Sequence, residues 1–199
     1  MRRLCAALAL VAAASLVSGC ASGFVNAWKS PEWSGPPLRN ILVLGLTRDP
    51  LARRSYEDAM VARLVEAGVT AAPSYQTLPG ERPEREAIAG AMVAGGHDGL
   101  IGARLLGVDQ RETYVPGGPV GAPGPYVGWR RWGGFYEPGY VKVDQVARIE
   151  TQVWALAGHG TLIWAGSSET VNPRDIARIA RGLANHTVET LQKAGILPE

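Results

Sequence analysis

Side chains able to do chemistry are sparse in this 199-residue sequence. His97, His159 and His186 stand far apart, without paired spacing and without a companion thiol. They read as surface or capping residues, and no metal is expected. Ser167 and Ser168 lie in Ala165-Gly166-Ser167-Ser168-Glu169, which lacks the strand-to-helix elbow of a hydrolase serine. They are expected on a strand, facing solvent. Gly45 is followed by Thr47-Arg48-Asp49 rather than by a glycine-rich phosphate loop. Glu57 and Asp58 are neighbours on one helix and diverge, so they cannot share a proton as a catalytic pair. Arg54 and Asp58, four apart, read as ordinary surface charge. No catalytic residue and no cofactor is expected.

One stretch departs from this plainness. Residues 116–140 are rich in Gly and Pro, yet hold Tyr126, Trp129, Arg130, Arg131, Trp132, Phe135, Tyr136 and Tyr140. A loop of that length is uncommon inside a compact domain and is usually functional or disordered. Trp, Tyr and Arg dominate interface hot spots. Three readings stand side by side: a contact surface, rings folded back to cover a sheet edge, or a disordered tip. The first makes Trp129, Arg130, Arg131, Trp132, Phe135 and Tyr136 partner-binding residues.

The elements that must carry this insert follow from periodicity. Ile41 to Leu46 is a continuous apolar run, suited to a strand covered on both faces. Asp49-Pro50 supplies an N-cap and first helical residue. Tyr56, Met60, Leu64 and Ala67 then recur at helical spacing, with Arg53, Arg54, Glu57, Asp58, Arg63 and Glu66 opposite and Gly68 as the stop. Val69 to Pro73 reads as a short strand. Pro83 to Gly95 reads as a second helix with Ile88, Ala91 and Met92 inward. A third strand, Leu100 to Leu106, turns polar and alternating toward Tyr114. Val141 to Leu156 alternates cleanly, as a half-solvated antiparallel strand does. Gly158-His159-Gly160 turns it into a partner, Thr161 to Thr170. Asn172-Pro173 opens a last helix striped by Ile176, Ile179, Leu183, Thr187 and Leu191. The order β-α-β-α-β-β-β-α predicts one α/β (α+β) domain with a mixed sheet. It occupies residues 40–199, and the insert falls at the end of a projecting hairpin.

The other landmark is the start. Arg2 and Arg3 precede an apolar run from Leu4 to Leu16, then Val17-Ser18-Gly19-Cys20. A charged start, an apolar stretch and small residues before a cut form a secretory signal, here residues 1–19. The run is too short for a membrane span of about 20 residues. Val-Ser-Gly-Cys resembles the lipobox of bacterial lipoproteins. That resemblance implies that Cys20 becomes the acylated first residue, and that with Ala21 rather than Asp next, the destination is the outer membrane. Residues 20–39 contain Ser22, Gly23, Ser30, Pro31, Ser34, Gly35, Pro36 and Pro37 without apolar periodicity. They are expected as a flexible tether, with Trp28 and Trp33 packing on the domain or near headgroups.

Charge excludes one class of partner. Of 20 Lys and Arg, Arg2 and Arg3 leave with the signal, so 18 bases face 18 acids, and no nucleic-acid partner is expected. Cys5 also leaves and Cys20 is the lipidation site. The domain must therefore be stable by packing alone, for which about 160 residues suffice.

Trp28-Lys29-Ser30-Pro31, Arg54-Ser55-Tyr56-Glu57-Asp58, Pro73-Ser74-Tyr75, Asp98-Gly99-Leu100-Ile101, Tyr136-Glu137-Pro138-Gly139-Tyr140 and Leu162-Ile163-Trp164-Ala165-Gly166 resemble uncharacterised bacterial outer-membrane lipoproteins over nearly the whole mature chain. The element order is similar to the fold of curli-secretion lipoproteins, lipoprotein activators of penicillin-binding proteins and the TolB amino-terminal domain. Fold similarity transfers no activity. The expectation is a membrane-anchored envelope lipoprotein, a non-catalytic module that binds or assembles with an envelope protein, a cell-wall component or itself. The alternatives are a periplasmic enzyme with an unrecognised site and a ring-forming secretion-type subunit.

Overall fold

The apolar run at Ile41 is interior strand β2, Asn40–Leu46, of a computed structural model that describes residues 24–78, 80, 83–120, 135–156 and 160–199. Around it the elements run β1 Phe24–Lys29, β2, α1 Pro50–Glu66, β3 Thr70–Pro73, α2 Arg85–Ala94, β4 Gly99–Val115, β5 Gly118–Val120, β6 Phe135–Glu137, β7 Tyr140–Ala155, β8 Thr161–Val171 and α3 Ile176–Lys193. The six-stranded mixed sheet has the order β1-β8-β7-β4-β2-β3, while β5 and β6 form a separate small pair. Strands β3, β2 and β4 are parallel, as the helical crossovers between them require. Strands β4, β7, β8 and β1 are antiparallel. The expected α/β order is present, with β1 added in front and the short strands β5 and β6 added between β4 and β7.

Both faces of β2 are covered. Ile41 and Val43 join Met60 and Leu64 of α1 and Val188 and Leu191 of α3 in the main core. Leu42 meets Met92 of α2 and Leu78 on the opposite face. Asp49 caps α1 as its sequence indicates, its Oδ1 accepting from the Leu51 and Ala52 amides at 2.9 and 3.3 Å.

Three expectations need correction. Phe24–Lys29 is not tether: it is the edge strand β1 on β8. The segment after it is also pinned, since the Ser30 amide donates to Ile163 O at 2.9 Å and the Leu38 amide to Ile196 O at 2.8 Å. Trp33 packs against the main core, whereas Trp28 is 47% exposed.

Second, α3 is capped by Asp175, whose Oδ1 accepts from the Arg178 amide at 3.0 Å, and not by Asn172. Asn172 instead braces the base of the β4–β7 hairpin. Its Oδ1 accepts from the Gln145 amide at 3.0 Å and its Nδ2 donates to Asp144 at 2.7 Å. It adopts φ 51°, a left-handed conformation that Asn tolerates better than most residues.

Third, the buried stripe of α3 is Ala180, Leu183, Ala184, Thr187, Val188 and Leu191, and Ile176 is exposed. Leu183→Ala should therefore destabilise by about 2–5 kcal/mol, read by urea unfolding. A loss within error would mean that α3 docks by other residues.

Candidate binding surface

Strands β2, β3 and β4 all end at the same side of the sheet, and helices α1 and α3 start there. Ligands of open α/β sheets are held at such carboxyl ends. Three features meet at this end: a buried ion pair, an apolar groove and a projecting ribbon.

The ion pair was not expected. Arg53 and Glu57, assigned by periodicity to the outer face of α1, are both buried, Glu57 completely. Glu57 Oε1 accepts from the Gly45 amide, Arg53 Nε and Ser74 Oγ, each at 2.9 Å, and Oε2 accepts from the Tyr75 amide at 2.9 Å. Arg53 also donates to Ser74 Oγ at 2.9 Å, Leu78 O at 3.1 Å and Gly80 O at 2.5 Å. Each carboxylate oxygen and each guanidinium nitrogen makes at least one of these bonds, so the pair fastens the segment after β3 to α1. The neighbouring Arg54 lies over the Tyr75 ring at 5.3 Å, and Asp58 accepts from the Tyr75 hydroxyl at 2.8 Å.

The groove lies between the first turns of α1 and α3, over β4 and β7. It has a volume of about 250 Å3, and its lining includes Leu46, Tyr56, Leu105, Val108, Ile149 and Ile179. The Tyr56 hydroxyl is buried and finds no hydrogen-bond partner among the described residues. Burial, and then the adjacent Glu57 carboxylate, hold it far above the ordinary tyrosine range, so it is a permanent donor.

The ribbon is the outer half of β4 and β7. Strand β8 pairs with β7 only as far as Val146, and β2 with β4 only as far as Arg104. Gln110–Val115 and Tyr140–Gln145 therefore pair only with each other. They extend about 20 Å at roughly 3.4 Å per residue. Register places Val108, Glu112 and Tyr114 with Ala147, Val143 and Val141 on the groove's face of the sheet. Val141 and Val143 are about half exposed and Tyr114 is 67% exposed. The polar pair Gln110–Gln145 lies on the same face between the groove and the exposed Val143, Val141 and Tyr114.

The other face carries charge. Arg111 meets Glu169 at 2.7 Å, Arg148 meets Glu169 at 3.1 Å and Asp109 at 3.3 Å, and Lys142 meets Asp144 at 3.0 Å. Arg111 first and then Arg148 hold the Glu169 carboxyl below its usual range. Asn172 first and then Lys142 do the same for Asp144. These exposed pairs are individually weak, and they act by fixing the ribbon's root.

The residues singled out from sequence fall as follows. Cys20, Trp129, Arg130, Arg131, Trp132 and His159 lie outside the described residues. Phe135 and Tyr136 lie on β6, which pairs with β5 just beyond the ribbon. His97 and His186 are apart. His97 Nδ1 lies 2.8 Å from Asn40 Oδ1, and His186 Nε2 accepts from the Phe24 amide at 2.9 Å. Ser168 is buried rather than solvent-facing, and its Oγ donates to Ile149 O at 3.4 Å. Among the described residues no three His, Cys, Asp or Glu gather as metal ligands, and no helix is long and apolar enough to cross a membrane. The groove and the buried pair went unseen in sequence. The only trace of the pair was the four-residue spacing of Arg53 and Glu57, which Arg54 and Asp58 share.

No family model and no curated protein matches this sequence. Among solved structures, a PelC dodecamer from Paraburkholderia phytofirmans is similar in two crystal forms. In one, the match is 11% identical with a TM-score of 0.47 over 83% of this chain and 98% of that one. In the other, it is 9% identical with a TM-score of 0.47 over 87% and 99%. A PDZ domain protein from Parabacteroides distasonis is 10% identical, with a TM-score of 0.39 over 78% of this chain and 32% of that one.

Proposed function

We propose that this chain is an envelope lipoprotein anchored through Cys20, and that its domain is a non-catalytic binding module. Its contact element is the β4–β7 ribbon, which meets another protein held at the same membrane surface. The observation that carries this reading is the ribbon itself. It is a two-stranded projection whose one face exposes Val141, Val143 and Tyr114, although such a ribbon alone is marginally stable. Exposed apolar stripes of this kind mark interaction sites. The sequence between the ribbon's two strands contains Trp129, Arg130, Arg131 and Trp132, side chains typical of contact hot spots.

Position supports the reading too. Phe24 pairs with Ser168, near the Val171 end of β8, which lies beside the ribbon's root at Val146. From Phe24 the chain leads back to Cys20 over at most about 13 Å at roughly 3.3 Å per residue. The start of β1 and the root of the ribbon therefore lie toward the same end of the sheet.

The test has two parts. Cys20→Ser should abolish acyl labelling and release the protein from the membrane fraction. With Cys20 intact, a photo-crosslinking side chain at Val141 should capture a distinct envelope protein. Trp129→Ala with Trp132→Ala should lower that yield and leave the thermal melt unchanged. Soluble wild-type protein with unmodified Cys20 would remove the anchor. A large loss of melting temperature with unchanged crosslinking would make the rings structural. Capture only of a second copy would replace the foreign partner with self-association.

A further inference from the structure

The outer edge of β4 is unpaired over much of its length. Strand β2 accompanies it only to Arg104, so from Leu105 to Val115 its one partner among the described residues is β7, and its other edge is open. That edge is about 34 Å long at roughly 3.4 Å per residue, and Pro116 follows it. The direction of its polar groups is set by β7. The Gln145 amide donates to Asn172 Oδ1 at 3.0 Å, and the Gln145 carbonyl accepts from the Asn172 amide at 2.7 Å. Both backbone groups of Gln145 therefore point away from β4. Gln110, its cross-strand partner, turns its own N–H and C=O to the open side, and so do Val108 and Glu112, two residues to either side. Open edges are normally blunted by Pro, Lys, a bulge or a covering segment. Leu105 to Val115 holds neither Pro nor Lys, and its one irregularity, between Leu105 and Gly107, lies at the inner end.

We propose that this edge pairs with the same edge of a second copy of the chain, antiparallel across a two-fold axis at Gln110. The sequence of the edge selects that occupant. Gln110 is the midpoint of the open stretch, so an axis there uses all of it and sets Leu105 opposite Val115. Asp109 then faces Arg111 of the copy, and Arg111 faces its Asp109. Val108 faces Glu112, and Leu106 comes beside Tyr114. Opposite charges across strands are favourable and like charges are not. Moving the axis by one residue sets Asp109 or Arg111 against itself, and moving it by two toward Val115 does the same to Glu112. Arg111 already meets Glu169, and Asp109 meets Arg148. The crosswise pairs therefore join two existing charge clusters into one network.

Backbone geometry points the same way. Gln110 exchanges two hydrogen bonds with its copy, and each Val108 exchanges two with the opposite Glu112, about six in all. The ribbon by itself has two strands and marginal stability. Pairing makes it half of a four-stranded sheet with the order β7-β4-β4-β7. One face of that sheet carries Val108, Tyr114, Val141 and Val143 from both copies. The contact is isologous and closes at two chains. It uses the ribbon's edge and leaves its faces free, so it goes beyond the function proposed above and is tested apart from it.

The experiment places single cysteines in the full chain, purified from the detergent-solubilised envelope. Across the axis the two Gln110 Cα atoms are expected about 5.5 Å apart, within disulfide reach. The two Glu112 positions are offset by about 14 Å along the strands. Mild oxidation of Gln110→Cys should give a disulfide-linked dimer that neither Glu112→Cys nor the unaltered chain forms. Gln110→Pro removes an N–H that points to the open side, so the β4–β7 ladder stays intact. The dimer dissociation constant, read by sedimentation, should rise roughly tenfold or more in that variant.

Equal cross-linking of Gln110→Cys and Glu112→Cys would reveal random collision and overturn the proposal. So would an unaltered chain that sediments as a monomer at every concentration, or a dimer of undiminished strength in Gln110→Pro. None of these results touches the capture of a foreign protein from Val141.

Discussion

Replacing Glu57 with Ala should destabilise the fold by about 3–5 kcal/mol, the range for removing one partner of a buried ion pair. The carboxylate is completely buried and accepts four hydrogen bonds. Without it, the Arg53 guanidinium stays in the interior with only neutral acceptors, Ser74 Oγ, Leu78 O and Gly80 O. The Gly45 and Tyr75 amides lose their acceptor as well. Glu57→Gln should be milder, because it keeps the shape and one acceptor. Arg53→Met together with Glu57→Leu should recover much of the loss, since the uncompensated charge is gone. Urea unfolding of the wild type, Arg53→Met, Glu57→Leu and the double variant closes the cycle. A single-mutant loss below about 1 kcal/mol would place the pair in effective contact with water.

Trp164→Ala should be comparably severe, about 3–5 kcal/mol for a buried aromatic. Trp164 is 2% exposed and sits in the main core. Its ring meets Phe24 edge-on, with centroids 4.9 Å apart and planes at 77°, a favoured aromatic geometry. Gly166 makes room for this pair. A Cβ there would crowd the Trp164 ring and stand 2.8 Å from Phe24 Cδ1. Phe24→Ala should cost less, and the two changes should fall short of additivity because the rings touch. Loss of Trp164 should also loosen β1, making the chain around Lys29 open to trypsin under native conditions. Unchanged cleavage with a full loss of stability would show that β1 is held by its backbone alone.

Much of the architecture was legible because it follows from local pattern. The unbroken apolar run of β2, the Asp49-Pro50 start of α1 and the alternation of β7 each encode their element within a few residues. What was missed depends on distant neighbours. Phe24–Lys29 lies among Gly, Ser and Pro, and its partner β8 begins more than 130 residues later, so nothing local marks it as a strand. Arg53–Glu57 and Arg54–Asp58 share one spacing, and the choice of which is buried belongs to Ser74 and Tyr75, from outside the helix. In α3, Ile176 carried the apolar signal but lies at the groove's rim, while Ala180 and Ala184, compositionally mute, face the core. The groove is assembled from α1, β4, β7 and α3 together and has no sequence signature. The projecting hairpin was legible because both its strands lose their apolar content toward the same loop.

The placement of β1 also has a mechanical consequence. A pull on an anchor at Cys20 enters the domain at Phe24 and runs along the strand toward Lys29, whose Nζ holds Ala194 O at 2.6 Å. The ladder to β8, from Phe24↔Ser168 to Lys29↔Trp164, is then loaded in shear, with its bonds sharing the force instead of peeling open in turn. If Cys20 is acylated as proposed, the strand would stand only a few residues from the anchor and would carry such a load into the sheet.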